Sequence, residues 1–187
     1  METESLSSSD CQKLVDYINA TSGETSWVTS SNFASLSMSE KLNVAPLSSK
    51  CELHGQITHK DVSFSMWKSN PNNSIISVDT SFPKLLHFAR IETIFTHVRK
   101  TTNGEHITDT WLKVKPLPPI PVTTSDVFAN LNHPHLQLHL RLPAINDEYM
   151  IKSTDIVSHC AWLEYSASEL VSEIDYPVVA LVSVDRE

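Results

Sequence analysis

The chain has 187 residues, with 22 acidic against 14 basic side chains and a formal net charge of −8. That balance argues against direct nucleic-acid binding, which needs clustered Lys and Arg, whereas Arg90, Arg99, Lys100, Lys113, Lys115 and Arg141 are scattered. The length suits one well-buried core, and three glycines exclude glycine-rich nucleotide folds.

Residues 1–49 are Ser/Thr-rich and read as a flexible arm with one short helix. Met1 to Asp10 lacks the basic start and apolar run of a signal peptide, so secretion is not expected. Ser9 and Gln12 form a candidate capping box ahead of an apolar stripe of Leu14, Val15 and Ile18. That helix is too short to persist alone. Ser37–Leu42 predicts another helical turn, and the rest of the arm reads as mobile or draped over the domain.

From Lys50 the texture becomes that of strands, so residues 50–187 are assigned to a β-rich, barrel-like domain. Residues 51–57, 62–67 and 74–78 are short strand candidates, with turn chemistry at Asn70-Pro71-Asn72-Asn73. Leu85 to Lys115 reads as two long antiparallel strands connected through Asn103-Gly104. In the first strand, Ala89, Ile91, Phe95 and His97 are expected on one face, and Arg90, Glu92, Ile94, Thr96 and Val98 on the other. Trp111, Leu112 and Val114 are the expected core of the second. The proline run 116–121 breaks the ladder and should run extended along the surface. In 135–142 strict alternation directs Leu136, Leu138, Leu140 and Leu142 inward, with His135, Gln137, His139 and Arg141 outward. Residues 149–152 predict a strand, Ser153–Ala161 a short turn or helix, 166–173 a helix, and 177–184 a closing strand. The fold class is mainly β, a β-barrel or curled antiparallel sheet with a few short helices.

Candidate chemistry is sparse. His133 and His135 have the HxH spacing of metal-binding barrels and are the weak metal candidates. His135 and His139 would lie about 13 Å apart along a strand, too far to share an ion. Solvent-facing histidines are the simpler reading. Asp155, Ser158, His159 and Cys160 contain the letters of a triad, but sequence neighbours rarely converge on one atom. Glu92, Glu105, Asp109, Asp126 and Asp147 show no pairing at useful spacing. Trp111 is expected in the core, and Trp67, beside a turn, is the candidate exposed aromatic contact. Cys11, Cys51 and Cys160 are odd in number and contain no CxxC, which predicts reduced thiols in an intracellular compartment, nucleus or cytoplasm. No apolar run is long enough to span a bilayer, so no membrane partner is expected.

Six runs in order carry a family likeness: LHGQITHKDVSF (53–64), NSII (73–76), ARIETIFTHVR (89–99), TWLKV (110–114), STDIVSHCA (153–161) and VSVDR (182–186). Through them residues 50–187 resemble the β-rich C-terminal region of basidiomycete fungal transposon-encoded, transposase-like proteins. The strand at 89–95 followed by a Trp-bearing strand is also similar to bromo-adjacent homology (BAH) domains, interaction modules of chromatin proteins. These resemblances imply a BAH-like, noncatalytic module contacting protein or chromatin, without a cofactor. A transposase's catalytic core and zinc finger would lie upstream of the resembling region. The competing expectation is a small metal-dependent β-barrel enzyme using His133 and His135.

Overall fold

The computed structural model describes residues 3–22, 25–79, 86–101, 104–128 and 137–183. The chain enters as a short strand, β1 (Thr3–Ser5), followed by helix α1 (Ser8–Thr21). The cap of α1 is Ser7, whose hydroxyl accepts from Asp10 N at 3.0 Å. The capping box expected at Ser9 and Gln12 does not form: both lie inside the helix, and the Gln12 amide donates to Asp16 one turn on. The expected stripe is buried and widened, with Cys11 and Tyr17 joining Leu14, Val15 and Ile18.

The described residues between that helix and Ser49 form further elements. Strand β2 (Ser26–Thr29), helices α2 (Ser30–Ser35) and α3 (Met38–Lys41) and strand β3 (Val44–Leu47) follow, β2 pairing parallel with β3. Asn19 clasps β2 from both sides: its amide donates to Trp27 O at 2.9 Å while its oxygen accepts from Trp27 N at 2.8 Å. At α3 the predicted helical turn holds, and Ser37 with Glu40 forms a capping box. A draped arm was the expectation. Instead Leu14, Ile18, Trp27 and Leu47 share a core with Phe95, Trp111 and Met150 of the following strands. Burial against the sheet supplies what α1 lacks in isolation.

Strands β4 (Lys50–His54), β5 (Gln56–His59), β6 (Val62–Ser65) and β7 (Ile75–Val78) lead into β8 (Phe88–Lys100) and β9 (His106–Pro116). β5 and β6 form a hairpin whose turn places Lys60 and Asp61 at positive φ. The long β8–β9 hairpin is present as predicted, with Gly104 at φ +87 in its connection, where a Cβ would be strained. One edge of β8 is covered by β9. The other is shared between β7, at Phe88–Arg90, and β4, at Ile94–Thr96.

The expected facing of β8 fails at one point. Its register with β9 shifts between Ile91 and Thr93, leaving Glu92 as an extra residue. A bulge reverses the alternation beyond it. Ala89, Ile91 and Ile94 therefore pack together in a cluster with Ile76, Leu112 and Ile151, while Phe95 packs in the α1 core.

The last strands are β10 (Gln137–Arg141), β11 (Tyr149–Lys152), β12 (Ile156–Tyr165) and β13 (Val178–Ser183). Only Ser153–Asp155 makes the helical turn expected over 153–161, and the chain then continues as β12. The helix expected at 166–173 is a series of turns. Ser168 has φ +60, outside the helical region, and the Glu169 carboxylate accepts from Ser166 N at 2.6 Å. The large sheet runs β1-β4-β8-β7-β12-β13-β10, with β11 on β9. Its neighbours are all antiparallel. The terminal strand β10 then meets the chain leaving β9: Leu142 N donates to Pro118 O at 2.9 Å, and Pro119 bridges Arg141. The sheet is thus curled, without a continuous ladder among the described residues to close it as a barrel. The proline run takes part in the curl, since Leu117 is buried and bonds back to Phe88 O.

A polar joint locks α1 to the sheet. Tyr17 donates to Asp155 at 2.5 Å, and its ring meets Trp111 edge-on at 5.2 Å. Beside it, Asp109 accepts from Arg99 at 2.5 Å and from Lys152 at 2.6 Å. Burial pushes the Asp109 carboxyl upward, but its bonds to Lys152 and Arg99 and their charges outweigh that, so its pKa lies below the usual value. Its stabilising contribution is complete above the ordinary carboxylate range, about pH 4, and is lost as pH falls through the depressed folded value. Asp109→Asn should destabilise the fold by about 3 kcal/mol at neutral pH by stranding two cations. It should also flatten the loss of stability as pH falls below about 4, as read by urea unfolding at each pH. In the same assay Leu14→Ala, at a fully buried position, should cost about 2–5 kcal/mol.

Candidate binding cleft

Because the sheet curls, the outward-reading face of β10 comes to lie over the start of β8. The His139 ring sits 4.8 Å from that of Phe88, and the Arg141 guanidinium lies 4.7 Å from the same ring's centroid. They wall a cleft of about 380 Å³, with His87 exposed at its rim and Ser77 and Ser183 on its floor. His139 and Arg141, expected to face solvent, are instead half-buried.

The electrostatics of the cleft follow from that burial. Arg141 Nε is buried without a hydrogen-bond partner among the described residues. Desolvation lowers the guanidinium's pKa, opposed by the nearby Asp126 charge, yet an arginine stays protonated in any protein setting. Asp126 makes no ion pair with Arg141. Its oxygens accept from Phe128 N at 2.9 Å and Leu140 N at 3.4 Å. Burial also holds His139 below the usual histidine value, helped by the Arg141 and His87 charges and resisted by Asp126. The cleft therefore presents a fixed cation beside the His139 imidazole, with His87 at its rim.

Its floor is a chain of hydroxyls. Ser77 and Ser183 each lie 2.7 Å from the Ser158 oxygen between them. Three hydroxyls sharing two bonds leave one O–H to donate elsewhere. Cys160, fully buried beside them, has its thiol pushed up to about 12 by burial, against the hydrogen bonds that Ser183, Ser158 and Ser77 offer its thiolate. A thiol so poised is a packing group rather than a nucleophile.

The other candidate residues are dispersed. Asp155 is held by Tyr17 and by Lys152 N, Ser158 lies in the hydroxyl chain, and His159 donates to Asn72 O at 2.6 Å. No triad assembles from them. Glu92 pairs with Arg90 and Asp109 with two cations, while Glu105 and Asp147 are exposed. Trp67 is half-buried, 5.0 Å from Trp162, and Arg90 stacks 4.6 Å from its ring. The Trp162 indole donates to Pro71 O at 3.2 Å. His133 and His135 lie outside the described residues. Among the described residues no three His, Cys, Asp or Glu side chains group as metal ligands.

The cleft was missed because alternation along β10 assigns His139 and Arg141 to a face without saying what stands opposite. The cue in the sequence is a Phe at the start of β8 and an imidazole and a guanidinium spaced by two, but their meeting requires the curl. No helix among the described residues is long and apolar enough to cross a membrane. Comparison of the chain with protein-family models, curated proteins and solved structures found no match.

All three cysteines are buried, and burial raises the thiol pKa of each. The native protein at pH 8 should therefore leave all three thiols unmodified by a disulfide reagent over minutes, while all three should react at once in denaturant. Spectrophotometric thiol counting measures this directly.

Proposed function

We propose that the chain is a noncatalytic interaction module that captures a partner protein by an anionic group seated against Arg141. The observation that carries this reading is the half-buried guanidinium at the cleft wall, with no ion pair to a carboxylate among the described residues. A cation drawn out of water is costly unless an anion accompanies it. A carboxylate or phosphoryl oxygen from a partner supplies that anion, with the guanidinium fork able to grip two oxygens at once. The Phe88 ring fixes the plane of the fork.

The same groups are poorly arranged for turnover. Among the described residues the floor hydroxyls bond to one another rather than to an imidazole, and burial favours the protonated form of the neighbouring thiol. The chain's own acidity also fits a site that selects by local rather than overall charge. Descent from a fungal transposon-encoded protein, and BAH-like contact with a chromatin protein, belong to this proposal and rest on the sequence runs alone.

A peptide array divided into anionic, neutral and basic members tests the reading. Anionic peptides should be retained by the intact chain, recovered chemically unchanged, and bound about tenfold or more weakly by Arg141→Gln. Thermal melting of the variant checks that the fold persists. Retention that ignores peptide charge, or an Arg141→Gln variant that binds like the original, would sink it.

A further inference from the structure

The cleft's donors come from several elements and surround a volume rather than face a plane. Arg141 and His139 stand on β10, His87 precedes β8, and the hydroxyls of Ser77 and Ser183 rise from β7 and β13. A carboxylate offers two coplanar oxygens and is satisfied by one fork. A tetrahedral oxyanion offers three or four oxygens in different directions and carries up to two charges. Here the donor set reaches the cleft from its walls, rim and floor. The hydroxyl chain keeps one O–H beyond its two internal bonds: a chain running in one direction places it on Ser77 or Ser183, which line the cleft, and a chain converging on Ser158 leaves it there. The Cys160 sulfur, a weak acceptor, lies beside all three hydroxyls.

Charge points the same way. With His139 neutral the cleft holds Arg141 opposed at longer range by Asp126, whose carboxylate is occupied by two backbone amides. A single negative charge would match that state. Protonating His139 raises the positive charge toward what a dianion balances. Among the described residues the charged and titratable groups facing His139 are Arg141 on its own strand, Asp126 and His87. Two of these oppose its protonation in the empty cleft, and an incoming dianion reverses that balance.

We propose that the cleft is a site for a phosphoryl group carried by a partner protein, gripped by Arg141 and the floor hydroxyls and tightened by protonation of His139. This rests on the reading above that the cleft takes an anionic group, and it adds which group and what regulates it. Binding is strongest on the acidic side of neutrality. It weakens as His139 loses its proton.

Sulfate is a suitable first probe because it remains a dianion throughout the pH range in which histidine titrates. Calorimetric titration of the full chain with sodium sulfate and with sodium acetate, at constant ionic strength, should give about tenfold tighter binding of sulfate at pH 6. The sulfate affinity should fall as the pH rises from 5 to 8, by at most about tenfold for a one-unit shift in one coupled group. Arg141→Gln should abolish the binding, and His139→Gln should leave weaker binding with a flattened pH dependence. Melting curves verify that both variants fold. A phosphoserine peptide should then bind more tightly than inorganic phosphate. A peptide no tighter than inorganic phosphate overturns the assignment to a partner protein. Acetate equal to sulfate overturns the phosphoryl assignment and leaves the anionic-partner reading standing. A slope unchanged by His139→Gln overturns the histidine's role. Failure of sulfate, acetate and anionic peptides alike overturns both readings.

Discussion

The extra residue at Glu92 is the constraint around which this molecule is organised. β8 spans 13 residues and touches β4, β7 and β9, so its two halves must serve different parts of the core. A regular strand would hold one set of side chains on one face throughout its length. The bulge reverses that assignment midway, putting Ile91 and Ile94 into one cluster and Phe95 into the other. It also bends the strand, and bulges are a usual means by which a sheet acquires curvature. The position is held by a salt bridge between Glu92 and Arg90 at 2.7 Å, with Arg90 in turn stacked on Trp67.

The two faces that result are covered by different means. One receives α1 and the β2–β3 pair, fixed by the Asn19 clasp and the Tyr17–Asp155 bond. Here the polar contacts orient the helix while apolar burial supplies most of the stability. Asp109 sits at the edge of this joint and ties β8 to β11 through Arg99 and Lys152. The Ala89, Ile91 and Ile94 face packs on Phe64, Ile76 and Leu112, and at the start of β8 the sheet curls on itself. Phe88 and Leu117 pack inside the curl with Cys160 and Leu181, and beyond them the polar face of β10 closes over Phe88. A polar wall over an aromatic ring is a costly way to finish a core, since Arg141 gives up water without gaining an ion pair among the described residues. That departure from ordinary core composition is what distinguishes the cleft from the rest of the molecule.

Trp67 illustrates what local context leaves open. Beside a turn it reads as an exposed contact, and the curl brings β12 past it, leaving its ring half-buried beside Trp162 and Arg90. Similarly, the letters Asp155, Ser158, His159 and Cys160 are near neighbours in the chain and serve four different tasks in the fold. Alternation on β12 accounts for part of this by sending Ser158 and Cys160 inward, and His159 meets the loop at Asn72 instead.

The sequence by itself determined the class of fold, the long β8–β9 hairpin, the apolar face of α1 and the terminal strand. These depend on periodicity and turn chemistry within a few residues, and those signals survive whatever the rest of the chain does. Tertiary structure alone decided the reversal at Glu92, the docking of α1 and the β2–β3 pair and the meeting of β10 with Phe88. Each of these joins segments far apart in the chain, where the alternation of one strand says which side chains share a face but not what that face will meet. His139 and Arg141 were therefore legible as a pair and illegible as a cleft.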